Sequence, residues 1–104
     1  MTRKASEARK SRFTLDLHGA YLRRTDLSGT ILERANLAEA DFSNADMRDA
    51  DFKDAILEGT ILKGADLTGA KNLTRDQLRQ AILDRETKLP QEFSISEFLP
   101  AMND

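Results

Sequence analysis

The sequence predicts an all-β solenoid, a tower of short stacked coils, and two observations lead to this fold class. Large apolar residues recur at every fifth position over more than half of the chain. A small residue, alanine or threonine, precedes nearly every one of them by two positions. A helix repeats its apolar face near every 3.6 residues and a strand alternates every two, so neither element fits this spacing. The chain must therefore make the same short step and the same corner in each unit.

The large apolar residues form eleven consecutive units, and we expect them to be the core. They are Leu17, Leu22, Leu27, Leu32, Leu37, Phe42, Met47, Phe52, Leu57, Leu62 and Leu67. The small residues before them run from Ala20 to Ala65, Leu15 is the one departure, and Ala70 continues the series. No unit can bury its apolar pair alone. Stacking of successive coils must therefore create the core and the interstrand hydrogen bonds together.

The repeating unit reads A(D/N)LXX, as in ANLAE, ADFSN, ADMRD and ADFKD, and it closely resembles the repeat of the pentapeptide-repeat family. The resemblance covers residues 14–73. It implies a right-handed quadrilateral parallel β-helix in which four units make one coil, so that residues twenty apart stack. The stacked positions are apolar throughout, as in the ladder Leu22, Phe42 and Leu62. Eleven units make about three coils, and at a strand spacing of about 4.8 Å the tower is on the order of 13 Å tall.

Three segments follow from the register of the repeat. Residues 1–13 form a basic N-terminal tail, residues 14–73 the β-helix, and residues 74–104 a C-terminal capping helix and tail. The five-residue period breaks after Ala70. An open solenoid end exposes both core and unpaired backbone, so the segment that follows is expected to cover it.

The sequence KNLTRDQLRQAILD carries the signals of this capping helix. Thr74 with Gln77 three residues on is the capping-box pattern of a helix N-terminus. Leu78, Ala81 and Ile82 would then share one face of the helix. We expect this face to lie across the last coil.

Composition places the chain among ordinary one-domain proteins. Its 104 residues carry a net charge of -2, with 39% hydrophobic and 33% charged residues. The absence of cysteine excludes disulfides and thiolate metal sites. No apolar run is long enough to cross a membrane, and the first thirteen residues lack the apolar stretch of a secretory signal. We therefore expect a cytoplasmic protein that does not associate with membranes.

Few side chains offer catalytic chemistry. His18 is the single histidine and occupies an outward position. Asp26, Asp46 and Asp66 would stack on one face, and paired acids can serve acid–base chemistry or bind a cation. The stronger interpretation is that each carboxylate bonds the local backbone at its corner. We therefore expect no enzyme, no catalytic or metal-binding residue and no cofactor.

Two non-enzymatic functions remain, of which we favour a scaffold for protein–protein interaction whose flat faces present fixed side chains to another protein. The alternative comes from family members that mimic duplex DNA and bind type II topoisomerases such as gyrase. The repeat segment holds seven bases and eleven acids, and 7 - 11 gives a net charge of -4. A tower about 13 Å tall spans only about four base pairs at 3.4 Å each, which disfavours mimicry.

The basic tail allows two interpretations. Residues 1–13 carry five bases and one acid, and 5 - 1 gives a net charge of +4. Such an arm could contact nucleic acid or an acidic membrane. A solvated, charged terminus is the simpler interpretation, so nucleic acid is not an expected partner.

The C-terminal tail carries apolar residues that have no place in the register. They are Phe93, Ile95, Phe98 and Leu99. Ile56 and Ile61 occupy outward positions of the last full coil, where the consensus is polar. We expect the tail to fold back after Pro90 and to cover both isoleucines. Alternatively, these six residues form a homodimer contact or the surface that binds a partner protein, so the chain is a monomer or a homodimer.

Overall fold

The computed structural model describes residues 14–99 and shows a chain that returns to the same position every twenty residues. Isolated parallel β-bridges join Asp16 to Asn36 and Asn36 to Ile56, and further bridges follow the same spacing. Between bridges the chain makes a turn in every five residues, so each coil has four sides. Throughout residues 14–99 the strands are single bridge residues rather than longer segments.

The four sides of the coil define four faces, which we number in chain order. Face 1 carries the bridge residues Asp16, Asn36 and Ile56; face 2 carries Tyr21, Asp41, Ile61 and Ile82; face 3 carries Asp26, Asp46, Asp66 and Lys88; face 4 carries Ile31, Asp51 and Lys71. The first three coils span residues 15–34, 35–54 and 55–74. Faces 1 and 3 lie on opposite sides of the tower, as do faces 2 and 4.

Backbone hydrogen bonds between coils follow one rule. The N–H of Asn36 donates to the C=O of Leu15 at 2.8 Å, and the N–H of Leu17 donates to the C=O of Asn36 at 2.8 Å. A bridge residue therefore uses both of its backbone groups toward the preceding coil. Its two neighbours bond to the following coil instead, as when the N–H of Leu37 donates to the C=O of Ile56 at 3.0 Å.

The corners depend on a left-handed residue at the end of each unit. Its φ angle is positive throughout, for example 57° at Asp54 and 69° at Gly64. Glycine adopts this conformation without steric cost, which explains why it recurs at the last position of the unit. At Gly64 a side chain would also collide with Asn44 of the coil below.

The core fills the second and third coils and includes Leu32 of the first coil. The eight predicted core residues from Leu32 to Leu67 are at most 1% exposed. Leu17, Leu22 and Leu27 are only partly buried, although they pack against the same cluster. The expectation that these three leucines are fully in the core is therefore corrected. Within residues 14–99 no coil lies below the first one, so one side of each leucine lacks cover.

Helix α1 spans Arg75–Gln80 and begins as the sequence predicts. The N–H of Gln77 donates to Thr74 Oγ1 at 3.1 Å, and the N–H of Thr74 donates to Gln77 Oε1 at 2.9 Å. These two bonds complete the capping box. The helix occupies face 1 of a fourth coil, and its Leu78 is fully buried.

Beyond Gln80 the chain leaves the helix and returns to the solenoid. Ile82 forms a parallel bridge with Ile61, and Lys88 forms one with Asp66. These pairs are 21 and 22 residues apart, so the fourth coil carries extra residues at its corners. The ladder of bridges therefore continues past residue 73, where the sequence placed the end of the repeat.

The predicted helix is consequently too long. Ala81 is extended, with φ of -88° and ψ of 166°, and does not share a helical face with Leu78. The segments 81–83 and 87–89 instead repeat the small, outward and large positions of the consensus unit. The backbone N–H and C=O groups of the bridge residues in these segments form hydrogen bonds with the third coil. In a longer helix the same groups would have bonded within the helix.

The tail packs back against helix α1. A short 3₁₀ helix spans Ile95–Glu97, and the rings of Phe93 and Phe98 meet edge to face at 6.2 Å. Arg75 Nε donates to Glu97 Oε1 at 2.9 Å, and the guanidinium lies 5.2 Å from the centre of the Phe93 ring. The apolar tail residues are thus partly buried against the core of the same chain.

The predicted cover of Ile56 by the tail is wrong. Ile56 remains 47% exposed, whereas Ile61 is partly buried and pairs with Ile82. The fourth coil, which the sequence analysis did not foresee, occupies the position above Ile61. The tail accordingly lies beside helix α1, one coil above the position that was predicted for it.

Two parts of the sequence lie outside the described residues, namely the basic tail at 1–13 and residues 100–104. The predictions made for the basic tail therefore stay predictions. Within residues 14–99, none of the helical segments has the length and apolar character needed to cross a bilayer.

Candidate interaction surface

Five large apolar side chains remain exposed on the tower. Tyr21 and Ile31 are each 72% exposed, Leu15 and Ile56 47%, and Ile82 42%. Leu15, Tyr21 and Ile31 belong to the first coil, and Ile56 and Ile82 belong to the third and fourth. The exposed apolar surface is therefore divided between the lower end of the tower and its upper half.

Ile56 borders a shallow groove of about 630 Å³ between the third coil and helix α1. The groove is lined by Lys53, Asp54, Ala55, Ile56, Asn72, Leu73, Thr74, Asp76, Gln77 and Gln80. Ile56 and Leu73 provide large apolar side chains, and most of the other lining residues are polar or charged. An apolar centre with a polar rim is the usual anatomy of a protein interface.

Gln77 fixes one wall of this groove. Its Nε2 donates to the C=O of Phe52 and to the C=O of Ala55, both at 2.9 Å. The same side chain accepts the N–H of Thr74 in the capping box. Helix α1 is thereby tied to the corner of the third coil, and these hydrogen bonds hold the groove in shape.

The six residues proposed from the sequence as an interaction surface lie in three places. Ile56 is on face 1 beside the groove, and Ile61 is on face 2 beside Ile82. The four tail residues lie against the core and helix α1. The outward position of Ile56 is visible in the repeat, but the groove is not, because the corner at 53–56 and the helix meet only in the folded chain.

The carboxylates of face 3 are bound to their own corners. Asp26 Oδ1 and Asp66 Oδ1 each accept the backbone N–H two residues on, at 3.0 Å. Asp46 accepts the guanidinium of Arg48 at 2.8 and 2.7 Å. Hydrogen bonds from the Arg48 side chain and backbone hold the pKa of Asp46 at about 2. The stacked acids therefore act as turn-stabilising groups, and the part of the chain described holds no cluster of three metal-ligand side chains.

The polar groups inside the tower are also satisfied. Thr60 Oγ1 donates to the C=O of Leu37 at 2.7 Å, and Thr87 Oγ1 donates to the C=O of Leu62 at 2.8 Å. Among residues 14–99 no buried side-chain nitrogen or oxygen lacks a hydrogen-bond partner. The interior consequently offers no free polar atom to a ligand.

His18 lies at the surface, as its position in the repeat suggested. Its side chain is 54% exposed, and Nε2 is 3.8 Å from Glu39 Oε1. The chain contains one histidine and no cysteine, so no second histidine and no thiol can complete a metal or nucleophilic site with His18.

Asp41 provides a direct test of the corner hydrogen bonds. Its Oδ1 accepts Ser43 Oγ–H at 2.6 Å and the N–H of Ser43 at 3.0 Å. These bonds, together with one from Arg23, hold the pKa of Asp41 at about 2. An aspartate ordinarily titrates near 3.9, so the stabilisation by ionised Asp41 is present above about pH 4 and is lost as the pH falls toward 2. We expect Ser43→Ala to raise the pKa of Asp41, as measured by NMR titration of its carboxyl carbon.

Ser28→Ala is the matched control for this titration. Ser28 holds Asp26 in the same manner, with its hydroxyl at 2.7 Å and its N–H at 3.0 Å from Oδ1. It should raise the pKa of Asp26 and leave that of Asp41 unchanged. An unaltered pKa of Asp41 in Ser43→Ala would contradict the assigned role of the corner bonds.

A family model of pentapeptide repeats matches the chain in eight copies, over residues 16–54 and 45–85. The chain belongs to the pentapeptide-repeat family. Proteins of this family fold as right-handed quadrilateral β-helices and are generally not enzymes. The family assignment thus agrees with the four-sided coil and with its bridges twenty residues apart.

Three solved pentapeptide-repeat proteins are similar to this chain. Rfr23 from the cyanobacterium Cyanothece 51142 is 32% identical with a TM-score of 0.65, over 73% of this chain and 51% of that protein. The chain therefore spans about half the length of that relative. Alr5209 from Nostoc Pcc 7120 is 23% identical, with a TM-score of 0.35 over 90% of this chain and 91% of that one. AT2G44920, from the thylakoid lumen of Arabidopsis thaliana, is 24% identical, with a TM-score of 0.30 over 70% and 57%. No curated protein sequence matches the chain.

Proposed function

We propose that this pentapeptide-repeat chain is a non-enzymatic scaffold that binds another protein at the groove between the third coil and helix α1. The observation that carries the proposal is Ile56, a large apolar side chain that remains 47% exposed in the groove. Leu73 adds a second apolar side chain beside it. A partner that inserts one apolar side chain here would remove Ile56 from water.

The rim of the groove adds charge of both signs. Lys53, Asp54 and Asp76 all belong to the lining. A partner with polar or charged groups around a central apolar residue would suit this rim. Because Gln77 already fixes helix α1 to the third coil, little ordering of the groove is needed on binding.

A catalytic role has little support in the described surface. The carboxylates that sequence analysis considered for acid–base chemistry are engaged at their own corners, as Asp46 is by Arg48. A general acid or base has to exchange a proton near the working pH, and an aspartate with a pKa of about 2 is poorly suited to this task. Membership of a family whose proteins are generally not enzymes points the same way.

Mimicry of duplex DNA toward a gyrase-type topoisomerase has weaker support than protein binding. A DNA mimic needs an uninterrupted array of negative charge, whereas face 3 combines acids with bases. Arg48 forms an ion pair with Asp46 at 2.7 Å, and Lys88 takes the position above Asp66 in the ladder. These two cations divide the acidic surface.

Affinity capture from the native cell extract tests the groove. We expect Ile56→Lys to lose the partner that the unaltered chain retains, because a charge replaces the apolar centre of the contact. Ser28→Lys is the matched control, since Ser28 is exposed at a corner that follows face 3, on the opposite side of the tower. Melting of both variants at the temperature of the unaltered chain would show that folding is intact. Capture of the same proteins by both variants would contradict the proposal.

A further inference from the structure

The lower end of the tower, formed by the first coil, leaves the apolar interior partly open. Leu22 is only partly buried, whereas Phe42 directly above it is 0% exposed. Leu17 and Leu27 show the same contrast with Leu37 and Met47 of the second coil. Leu32 on face 4 is 1% exposed, so the interior of the first coil is open on three of its four sides, and no coil lies below it among residues 14–99.

The backbone of the first coil is open in the same direction. Bridge residues of the second coil direct both N–H and C=O toward the first coil. The corresponding residues of the first coil are Asp16, Tyr21, Asp26 and Ile31. Within residues 14–99 neither backbone group of these four residues has a hydrogen-bond partner. Such an edge is a template on which another chain can add strands.

The sequence before residue 14 is unsuited to continue the solenoid. Extending the five-residue register backward places Arg12 and Glu7 at the positions of the large inward side chains. Lys10 falls at the position of a small inward residue. Three charged side chains would then point into an apolar interior, and burial of unpaired charge is strongly unfavourable. The five-residue register of large apolar side chains therefore does not extend below Leu17.

The two most exposed large apolar residues border this end. Tyr21 and Ile31 are each 72% exposed and are bridge residues of the first coil, on the opposite faces 2 and 4. Asp41 and Asp51 occupy the equivalent positions one coil higher. Apolar side chains at these two places suit cross-strand contacts at the end of the tower better than contact with water.

We propose that the first coil docks end to end on the first coil of a second copy of this chain, about a two-fold axis through faces 2 and 4. Such an axis reverses the strands of faces 2 and 4 and places face 1 against face 3, whose strand runs in the opposite direction, so each contact is antiparallel. Tyr21 then faces Tyr21 of the second copy, and Ile31 faces Ile31. In the hydrogen-bonded type of antiparallel pair, two opposite residues exchange both N–H···O=C bonds. The unpaired backbone N–H and C=O groups of one copy can thus form hydrogen bonds with those of the other.

The same axis places Asp16 opposite Asp26 of the second copy on faces 1 and 3. Like charges that lie directly opposite weaken strand pairing. Added salt screens this repulsion, so the dimer becomes tighter as ionic strength rises. A contact held mainly by ion pairs between the copies would instead become weaker as ionic strength rises.

Sedimentation velocity over a range of concentrations gives the first test. The unaltered chain is expected to form dimers, and the double variant Tyr21→Lys with Ile31→Lys should raise the dissociation constant by about tenfold or more, since lysines then oppose lysines. The matched control is Ile56→Lys with Ile82→Lys, which places the same charges at exposed bridge positions far from the lower end. It should leave the dissociation constant unchanged.

Disulfide formation gives a second test that is independent of affinity, because the chain contains no cysteine of its own. Opposite residues of a hydrogen-bonded antiparallel pair have Cα atoms about 5.5 Å apart, within the range of a disulfide. Tyr21→Cys and Ile31→Cys should each give a covalent dimer on mild oxidation. Asp26→Cys alone should not, whereas a mixture of Asp26→Cys with Asp16→Cys should.

Three results would overturn the proposal. The first is a chain that stays monomeric at about 200 μM, far above the concentrations at which specific dimers form. The second is a dimer that resists the two lysines at Tyr21 and Ile31, since the contact would then lie elsewhere. The third is a monomer that dimerises only after deletion of residues 1–13, which would show that this segment occupies the lower end in the intact chain.

Discussion

Truncation of Phe42 to alanine lowers the free energy of unfolding by about 3–5 kcal/mol. Phe42 is fully buried and lies in the second coil, between Leu22 below and Leu62 above. The walls around the resulting cavity cannot close easily, because backbone hydrogen bonds fix this coil to its neighbours. The N–H of Phe42, for example, donates to the C=O of Ile61 at 2.8 Å. Urea denaturation followed by circular dichroism measures the loss.

The same truncation in the tail is the control. Phe93 is partly buried beside Arg75 and Phe98, at the edge of the structure, where the surroundings can relax. We expect Phe93→Ala to cost less than half as much as Phe42→Ala. Equal losses, or a loss below about 1 kcal/mol for Phe42→Ala, would contradict a closely packed interior in the second coil.

The spacing of the sequence predicts the interior of the tower well, because the relevant physics is repeated and local. Each unit has one place for a large side chain and one for a small side chain. Leu32 and Leu67 are therefore as well buried as Phe42 between them, and the exceptions are Leu17, Leu22 and Leu27 in the first coil. The capping box of Thr74 and Gln77 was also predictable, since both of its hydrogen bonds join residues three positions apart.

The fourth coil escaped prediction because its units depart from the five-residue spacing. Ala81 with Leu83, and Thr87 with Leu89, are the small and large residues of two more units, displaced by one and two positions. A search for the small, outward and large triplet without a fixed spacing would have found both. The local sequence favours a longer helix, but Ile82 N–H donates to the C=O of Thr60 at 2.8 Å instead. Pairing with the third coil thus overrides the helical preference.

The position of the tail depends on contacts that a sequence pattern does not reveal. Arg75 and Glu97 form their ion pair across 22 residues of intervening chain. Neither residue belongs to the repeat, so no periodicity connects them. For the same reason the groove beside Ile56 could not be foreseen, because one of its walls is helix α1 and the other is a corner of the third coil.

The enlargement of Ala45 to leucine is expected to destabilise the protein by about 1–3 kcal/mol. Ala45 is 1% exposed and occupies the small inward position on face 3 of the second coil. The neighbouring Asp46 is bridged to Asp26 below and to Asp66 above. A larger side chain at Ala45 could be accommodated only if this wall moved outward, and such a movement would break the bridges. Thermal and urea denaturation measure the effect.

Ala38→Leu makes the same chemical change at an outward corner of the same coil and serves as the control. Ala38 is partly exposed, and only its backbone takes part in the corner, with its N–H donating to Asn36 Oδ1 at 3.1 Å. Ala38→Leu should change the free energy of unfolding by no more than about 0.5 kcal/mol. Leucine is equally apolar at the two positions, so a difference between the variants isolates the cost of volume inside the tower. If Ala45→Leu melted at the same temperature as Ala38→Leu, the small residue of the unit would not point inward. A different side chain of the unit would then have to face the interior of the coil.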